Sequence, residues 1–463
     1  MKIKTHTCKL FADQITPVNM YLNVRDKYAA AIMLESNEIN RKNNARSIIA
    51  ADVIANFHLK SDELIIKYHN VKKSIPVTPD FDVIQELNSF IESFEADEIH
   101  ADEINGFFGF QSFEAVRFFE TKKADLCAKT EKDFPLIDYR LYRFIICINH
   151  FNNEITFIEN ITDNSDSLLD EFRRIVLSKK GHTYPFSMVS DEKPDMSNDE
   201  FIDIVQKAKH YCKQGDIFQV VLSRKFSRRY KGDDLNIYRA LRHINPSPYM
   251  FYFDYGSFKI FGSSPEAQLR IENGKASISP IAGTYRKTGN VNDDKFLKEK
   301  LMKDEKELAE HVMLVDLARN DLNRNCTDVN VEEYKTIQEY SHVIHIASKV
   351  CGKLNDNDKY LSILADTFPA GTLSGAPKVK AIRILADLEK SPRGYYGGSI
   401  GYIDFNGNLN QAIIIRSFLA KKNEIYYRAG AGIVYKSTPE SELHEIDNKL
   451  AALRKALSEA EKL

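Results

Sequence analysis

Tryptophan is missing from all 463 residues, although the chain holds 22 Tyr and 28 Phe. Cysteine is scarce: Cys8, Cys127, Cys147, Cys212, Cys326 and Cys351 stand far apart, with no C-x-x-C spacing. Neither a disulfide framework nor a cysteine zinc site is expected, and the six read as reduced thiols of a cytoplasmic protein. The stretch MKIKTHTCKLFADQITPVNMY lacks the apolar core of a signal peptide, and no run is long enough to span a bilayer. An excess of one charge is lacking too. With 64 basic and 66 acidic residues the net charge is −2, which gives no electrostatic reason to expect nucleic acid or a membrane as partner. No internal repeat or low-complexity tract stands out.

What is present is ordinary for a folded globular protein: 43% hydrophobic and 28% charged residues. A polar segment at 177–201 marks a boundary, dividing the chain into an N-terminal region (1–180) and a C-terminal region (190–463). Ser197 and Glu200 form a capping box, with Met196 and Phe201 placed as its hydrophobic staple. The helix that starts there should stop at Gly215. Beyond it strands alternate with helices. Asn273-Gly274 supplies the positive φ angles of a tight hairpin turn. GSIGYIDFNGNLNQAIIIRSFL reads as another hairpin, and Pro377 suits the start of a helix. Hairpins with inserted helices indicate an α+β fold with antiparallel sheets.

Candidate chemistry lies in paired carboxylates. KELAEHVMLVDLARNDLNRN would read as an inverted zinc-peptidase motif if Glu307 were His. As it stands, Glu307 and Glu310 share a helix face. PESELHEIDNKLAAL repeats the device with Glu442, Glu445 and Lys449 beside an apolar stripe of Leu443, Ile446, Leu450, Leu453 and Leu457. Either pair alone is most simply a solvated face. Four convergent carboxylates without His or Cys would instead suit a hard cation, Mg²⁺ above zinc. FPAGTLSGAPK (368–378) is a Gly-rich turn ahead of a helix, and RAGAGIV (428–434) reads as a tight bend or bulge. Arg416, set among isoleucines in QAIIIRS, calls for an anionic partner. Glu266 follows a Gly-Ser-Ser-Pro turn, and His345 sits in an apolar run where a structural role is the simpler reading.

These stretches occur in one order: GDIFQVVLSRKF, NPSPYMFYFD, GSSPE, PIAGTYR, DEKELAEHVMLVDLARNDL, YSHVIHIASKV, FPAGTLSGAPK, RGYYGGSIGY, AGAGIV and ESELHEIDNKL. Together they resemble the chorismate-utilising enzymes, most closely the anthranilate synthase large subunits, densely over 197–458 and thinly from IMLESNE (32–38). The resemblance implies two orthogonally packed antiparallel sheets flanked by helices, with the active site in the cleft. It implies conversion of chorismate and ammonia to anthranilate and pyruvate with Mg²⁺. Metal positions carry over to Glu307, Glu310, Glu442 and Glu445. Substrate positions carry over to Gly283, Thr284, Tyr396, Arg416, Gly430 and Gly432. Catalytic positions fall on Glu266 as general acid, on His345 and Thr372 around the ring, and on Gln219 and Lys449.

Gln219 stands where water-using relatives carry a lysine, and an amide cannot activate water. Ala282 stands where aminodeoxychorismate synthases, the alternative within the family, commonly have Lys. The resemblance also implies tryptophan feedback through Leu34, Glu35, Ser36, Asn245, Pro248, Tyr249, Met250, Gly401 and Tyr402. NNARSIIA after Ser36 and TYRKTG after Gly283 depart from the family pattern. No glutaminase nucleophile segment is present, so ammonia is expected from a separate glutamine amidotransferase subunit. A tryptophan-free chain would also be easier to translate when tryptophan is scarce.

Overall fold

A computed structural model describes residues 1–12, 15–36, 45–68, 71–97, 103–119, 129–131, 133–162, 165–178, 181–339, 343–355 and 360–463, the side chains of Thr284, Arg286 and Lys306 excepted. Its frame is set by two long strands, Arg46–Leu59 and Ile137–Asn149, paired antiparallel along their length. Both are rich in Ile, Phe and Tyr, which suits a pleated surface covered on both sides. Their register shifts between Val53 and Ala55, beside Asp52 at φ +65°. A bulge of this kind bends a strand pair and lets its two ends enter different sheets.

One arm leaves the N-terminal half of Arg46–Leu59. It runs through Ile32–Glu35, Tyr249–Asp254, Phe258–Ser264, Ser417–Lys421 and Glu424–Ile433 to Gln219–Gly232. The other leaves the N-terminal half of Ile137–Asn149. It runs through Gly106–Gln111, Ser399–Asp404, Leu409–Ile413, Ala267–Glu272 and Lys275–Ile278 to Val343–Leu354. Each arm therefore interleaves strands from both sides of the 177–201 segment. That segment itself lays two short strands, Phe186–Met188 and Lys193–Pro194, on Gln219–Gly232. Among the described residues the ladders are antiparallel apart from one two-residue parallel contact. This is the expected α+β architecture, with helices flanking antiparallel sheets.

Local signals hold where chemistry dictates them. Helix Asn198–Gln214 begins with the reciprocal Ser197–Glu200 capping box and ends on Gly215 in the left-handed region. Asn273 and Gly274 take φ +50° and +72° in the turn between Ala267–Glu272 and Lys275–Ile278. On helix Pro439–Ala460, Ile446, Leu450, Leu453 and Leu457 are at most 1% exposed. Each contributes about 1.5–3 kcal/mol by leaving water, which fixes which face Glu445 and Lys449 present. Pro377 precedes helix Lys378–Leu388 as its N-cap, one position earlier than a first-turn proline.

Two expectations are corrected. Arg416 is not inside a strand: the ladder stops at Ile413 and restarts at Ser417, and Arg416 sits between at φ +49°. RAGAGIV is no tight bend, because Gly430 and Gly432 lie within the continuous strand Glu424–Ile433. They are small for another reason. A Cβ on Gly430 would stand 2.9 Å from the Tyr396 hydroxyl, and one on Gly432 would stand 2.5 Å from Gln219 Nε2.

Candidate active site

Three strand ends, one turn and one helix bring the expected catalytic residues into one region. Glu266 lies between Phe258–Ser264 and Ala267–Glu272 and is 8% exposed. It accepts a hydrogen bond from Thr372 Oγ1 at 3.2 Å. Burial raises its carboxyl to about 8. The Thr372 and Ile281 hydrogen bonds and the charges of Arg416 and Lys449 oppose that rise without cancelling it. Glu266 is therefore protonated at neutral pH, the state a general acid needs.

Gly283 makes the next wall. The register of Ile281–Arg286 against Val343–Leu354 slips between Ala282 and Thr284, and Gly283 takes φ +62° there. A Cβ on Gly283 would lie 3.2 Å from Glu307 Oε2, so the glycine opens room beside that carboxylate. Gly283 O faces His345 Nδ1 at 3.3 Å. His345 is 2% exposed, and burial followed by the Arg416 charge lowers it to about 4. The ring is neutral across the physiological range. Thr284 shares the strand, but its side chain lies outside the described residues.

The third wall is the Gly430–Gly432 stretch. Tyr396 and Gln219 pack against these glycines, and Lys449 Nζ donates to Gly430 O at 2.7 Å while pairing with Glu445 at 2.6 Å. Gln219 is 8% exposed, and its Oε1 has no hydrogen-bond partner among the described residues. Arg416 is half-buried. Among the described residues none accepts a hydrogen bond from its guanidinium, and desolvation lowers its pKa despite the opposing influence of Glu266. A half-buried guanidinium placed this way is suited to receive an anion.

The carboxylates expected to hold metal occupy two helices, Glu307 and Glu310 on Glu305–Leu322 and Glu442 and Glu445 on Pro439–Ala460. Among the described residues no group of three or more acidic, His or Cys side chains is gathered around a metal-sized space. The donors fit a hard cation in kind, being all oxygen. His311 is fully buried, donor or acceptor to Ser348 Oγ at 2.6 Å, and lowered to about 4 by burial. It is a core residue.

A separate cavity of about 390 Å³ is lined by Leu34, Glu35, Ser36, Tyr249, Met250, Gly401 and Tyr402, among others. Seven of the nine expected effector residues thus meet there; Asn245 and Pro248 are not in its lining. Strand alternation turns the Glu35 carboxylate away, onto Arg242 Nε (2.9 Å) and Tyr238 OH (2.6 Å).

Sequence reasoning missed the floor of the cleft. Arg393, Glu389, Arg428 and Glu114 are each at most 5% exposed and mutually hydrogen-bonded. The Glu389/Arg393 i,i+4 spacing is a visible signal for half of it; nothing local marks Glu114.

A neutral buried acid facing an anion-seeking arginine, in a cleft between antiparallel sheet arms, defines an enzyme for an anionic, hydroxyl-bearing substrate. Residues 31–455 match the chorismate binding enzyme family, and the chain belongs to it. Anthranilate synthase component 1 of Aquifex aeolicus (strain VF5) is 38% identical over 98% of this chain and 94% of its own. That of Acetivibrio thermocellus is 35% identical over 98% and 95%. The solved anthranilate synthase component I of Streptococcus pneumoniae TIGR4 superposes with TM-score 0.78 at 29% identity, covering 96% of this chain and 99% of that one. The menaquinone-specific isochorismate synthase of Escherichia coli superposes at 0.75 with 20% identity over 98% and 94%, a likeness of fold.

Proposed function

We propose that the chain is the synthase subunit that converts chorismate and ammonia to anthranilate and pyruvate, the reaction that opens tryptophan biosynthesis. The observation that carries this reading is Glu266, protonated and hydrogen-bonded to Thr372 within the electrostatic reach of Arg416. Arg416, Tyr396 and the backbone at Gly283, Gly430 and Gly432 hold the substrate's carboxylates. Glu266 gives its proton to the departing ring hydroxyl, which leaves as water while ammonia adds to the ring. Loss of a ring proton and of the enolpyruvyl group as pyruvate then restores aromaticity. His345 lines the ring as a neutral side chain. Gln219, an amide with no basic nitrogen, leaves water unactivated and so favours ammonia as nucleophile.

Mg²⁺ is the metal that the all-oxygen donors Glu307, Glu310, Glu442 and Glu445 suit. It would supply positive charge against a substrate carboxylate. Ammonia is delivered by a separate glutamine amidotransferase chain. Tryptophan, as feedback inhibitor, occupies the cavity at Leu34–Ser36, whose volume suits an amino acid of that size.

Incubation with chorismate, Mg²⁺ and ammonium tests the assignment without any partner chain. Blue-fluorescent anthranilate is expected, with activity lost to a chelator and restored by Mg²⁺. A product that needs a separate lyase to become aromatic, or no product, would reject it.

A further inference from the structure

Below the cleft, the Arg393 guanidinium meets three parts of the chain. Nε and Nη2 grip Glu389 at 2.9 and 2.7 Å, Nη1 donates to Leu373 O at 2.6 Å, and Nη2 reaches Val221 O at 2.5 Å. Leu373 follows Thr372, the hydrogen-bond donor to Glu266. Val221 stands 3.1 Å from where a Gly430 Cβ would be, the spot the Tyr396 hydroxyl also faces. The Arg393 carbonyl takes the Tyr396 N–H at 3.2 Å. One residue thus ties down the loop of Thr372, the strand behind Gly430 and the turn of Tyr396.

Its own placement comes from the other side of the chain. Glu114, on the short 3-10 helix Phe113–Phe118, accepts the Arg393 N–H at 2.7 Å and the Gly394 N–H at 2.9 Å with its two oxygens. Phe113 N donates back to Gly394 O at 2.9 Å, and the guanidinium lies 4.5 Å over the Phe113 ring. Both side chains are at most 4% exposed, so this network is shielded from water and cannot exchange partners freely.

We propose that Arg393, held by Glu114 from the N-terminal region, is a positioning residue that fixes Thr372 and Tyr396 relative to each other for the reaction. The role rests on the functional reading above. A planar fork is needed, because two carbonyls and a carboxylate lie in different directions around one charge. A lysine ammonium can keep Glu389 but cannot keep that geometry. Glu114 must likewise offer two acceptors to two successive N–H groups, and a Gln side chain offers one oxygen.

Arg393→Lys and Glu114→Gln in the full chain test this, with Glu159→Gln as a matched control. Glu159 is fully buried and accepts from Arg143 and Ser167 on the strand Glu154–Ile161, away from the cleft. All three variants are expected to melt earlier than the unaltered chain. Arg393→Lys and Glu114→Gln should also lose at least ~10-fold in kcat, since small misplacements near reacting groups cost that much. KM for chorismate should move by less than the loss in kcat. The alkaline limb of the pH–rate profile should shift upward, because Thr372 no longer favours the charged form of Glu266. The other groups facing that carboxyl, the Ile281 N–H, Arg416 and Lys449, remain in place. Thr372→Val should reproduce the limb shift, and Glu159→Gln should leave kcat and the limb unchanged.

Variants that melt earlier yet keep kcat and the limb would overturn the proposal. An unaltered chain that forms no anthranilate would instead remove the functional reading. In that case amide exchange decides: faster exchange at Thr372 and Gly394–Tyr396 in Arg393→Lys than in Glu159→Gln supports the clamp, and equal exchange overturns it.

Discussion

The catalytic cleft and the 390 Å³ cavity sit at the two ends of one short stretch, Tyr396 to Tyr402, and are built on opposite plans. In the cleft, burial is used to change chemistry. It holds a proton on Glu266, removes one from His345, and leaves Arg416 to await an anion. In the cavity, the one expected carboxylate is already matched, with Glu35 turned onto Arg242 and Tyr238. What remains for a ligand there is shape, strand edges and the charged side chains of Arg46, Glu103, Arg270, Glu272 and Asp404, which share the lining. The expected catalytic and substrate residues of the cleft all lie between Gln219 and Lys449, and the N-terminal region supports them from below through Glu114, whereas the cavity takes Leu34–Ser36 directly into its lining. The reacting groups thus come from one region, and the cavity wall is shared by both.

The largest break in this comparison should come from Arg416→Met, which keeps an unbranched apolar stem and removes the charge. A loss of roughly a thousandfold in kcat/KM for chorismate is expected, the scale of deleting a buried ionic partner. Tryptophan binding to the cavity should not change. Because the chain has no Trp, all indole fluorescence in that titration comes from the ligand.

Glu266→Gln should lower kcat by at least roughly a hundredfold, the typical contribution of a general acid. Its pH behaviour sharpens the point. With Glu266 in place, kcat/KM should fall about tenfold per unit above pH 8 as the carboxyl ionises, and the limb should vanish in the variant. Stability should move the other way. The folded carboxyl titrates at about 8 against an ordinary 4.5, so its stabilising share is complete below 4.5 and is lost as pH rises through 8. Gln mimics the protonated form, and thermal melts should find the variant gaining on the unaltered chain between pH 5 and 9.

The smallest expected effect on turnover, within about twofold, belongs to Ser36→Phe. It should fill part of the cavity and weaken tryptophan inhibition by about tenfold or more, as overpacking of a fitted site does. Parallel loss of turnover would count against a separate effector site.

How much of this was legible in the sequence follows the range of the interactions. The capping box at Ser197, the Asn273-Gly274 turn and the stripe from Ile446 to Leu457 are local, and each sits where the residues demanded. The cleft was legible as an ordered set of motifs, and the structure brings most of them together. Arg416 was misplaced because an isoleucine run reads as unbroken strand, while the break depends on a left-handed backbone at one residue. The two glycines of RAGAGIV were misread because their reason is a neighbour, Tyr396 or Gln219, distant in sequence. Glu114 left no trace at all: its partner lies 279 residues away, and no periodicity encodes that. The four carboxylates remain on two helices without a gathered cluster, so the metal reading stands on donor chemistry alone.

The interleaving of strands also sets a timetable for the nascent chain. Gly106–Gln111 pairs with Ser399–Asp404, and Gln111 reaches Ser399 288 residues downstream. At about 5–20 residues per second, that edge leaves the ribosome roughly 15–60 s before its partner exists. Ile32–Glu35 waits likewise for Tyr249–Asp254. Until then two apolar strand edges are open to any other strand that passes. Cells making much of this chain at once should therefore rely on chaperone cover or slow synthesis, and lower growth temperature should raise soluble yield more than any change in the cleft.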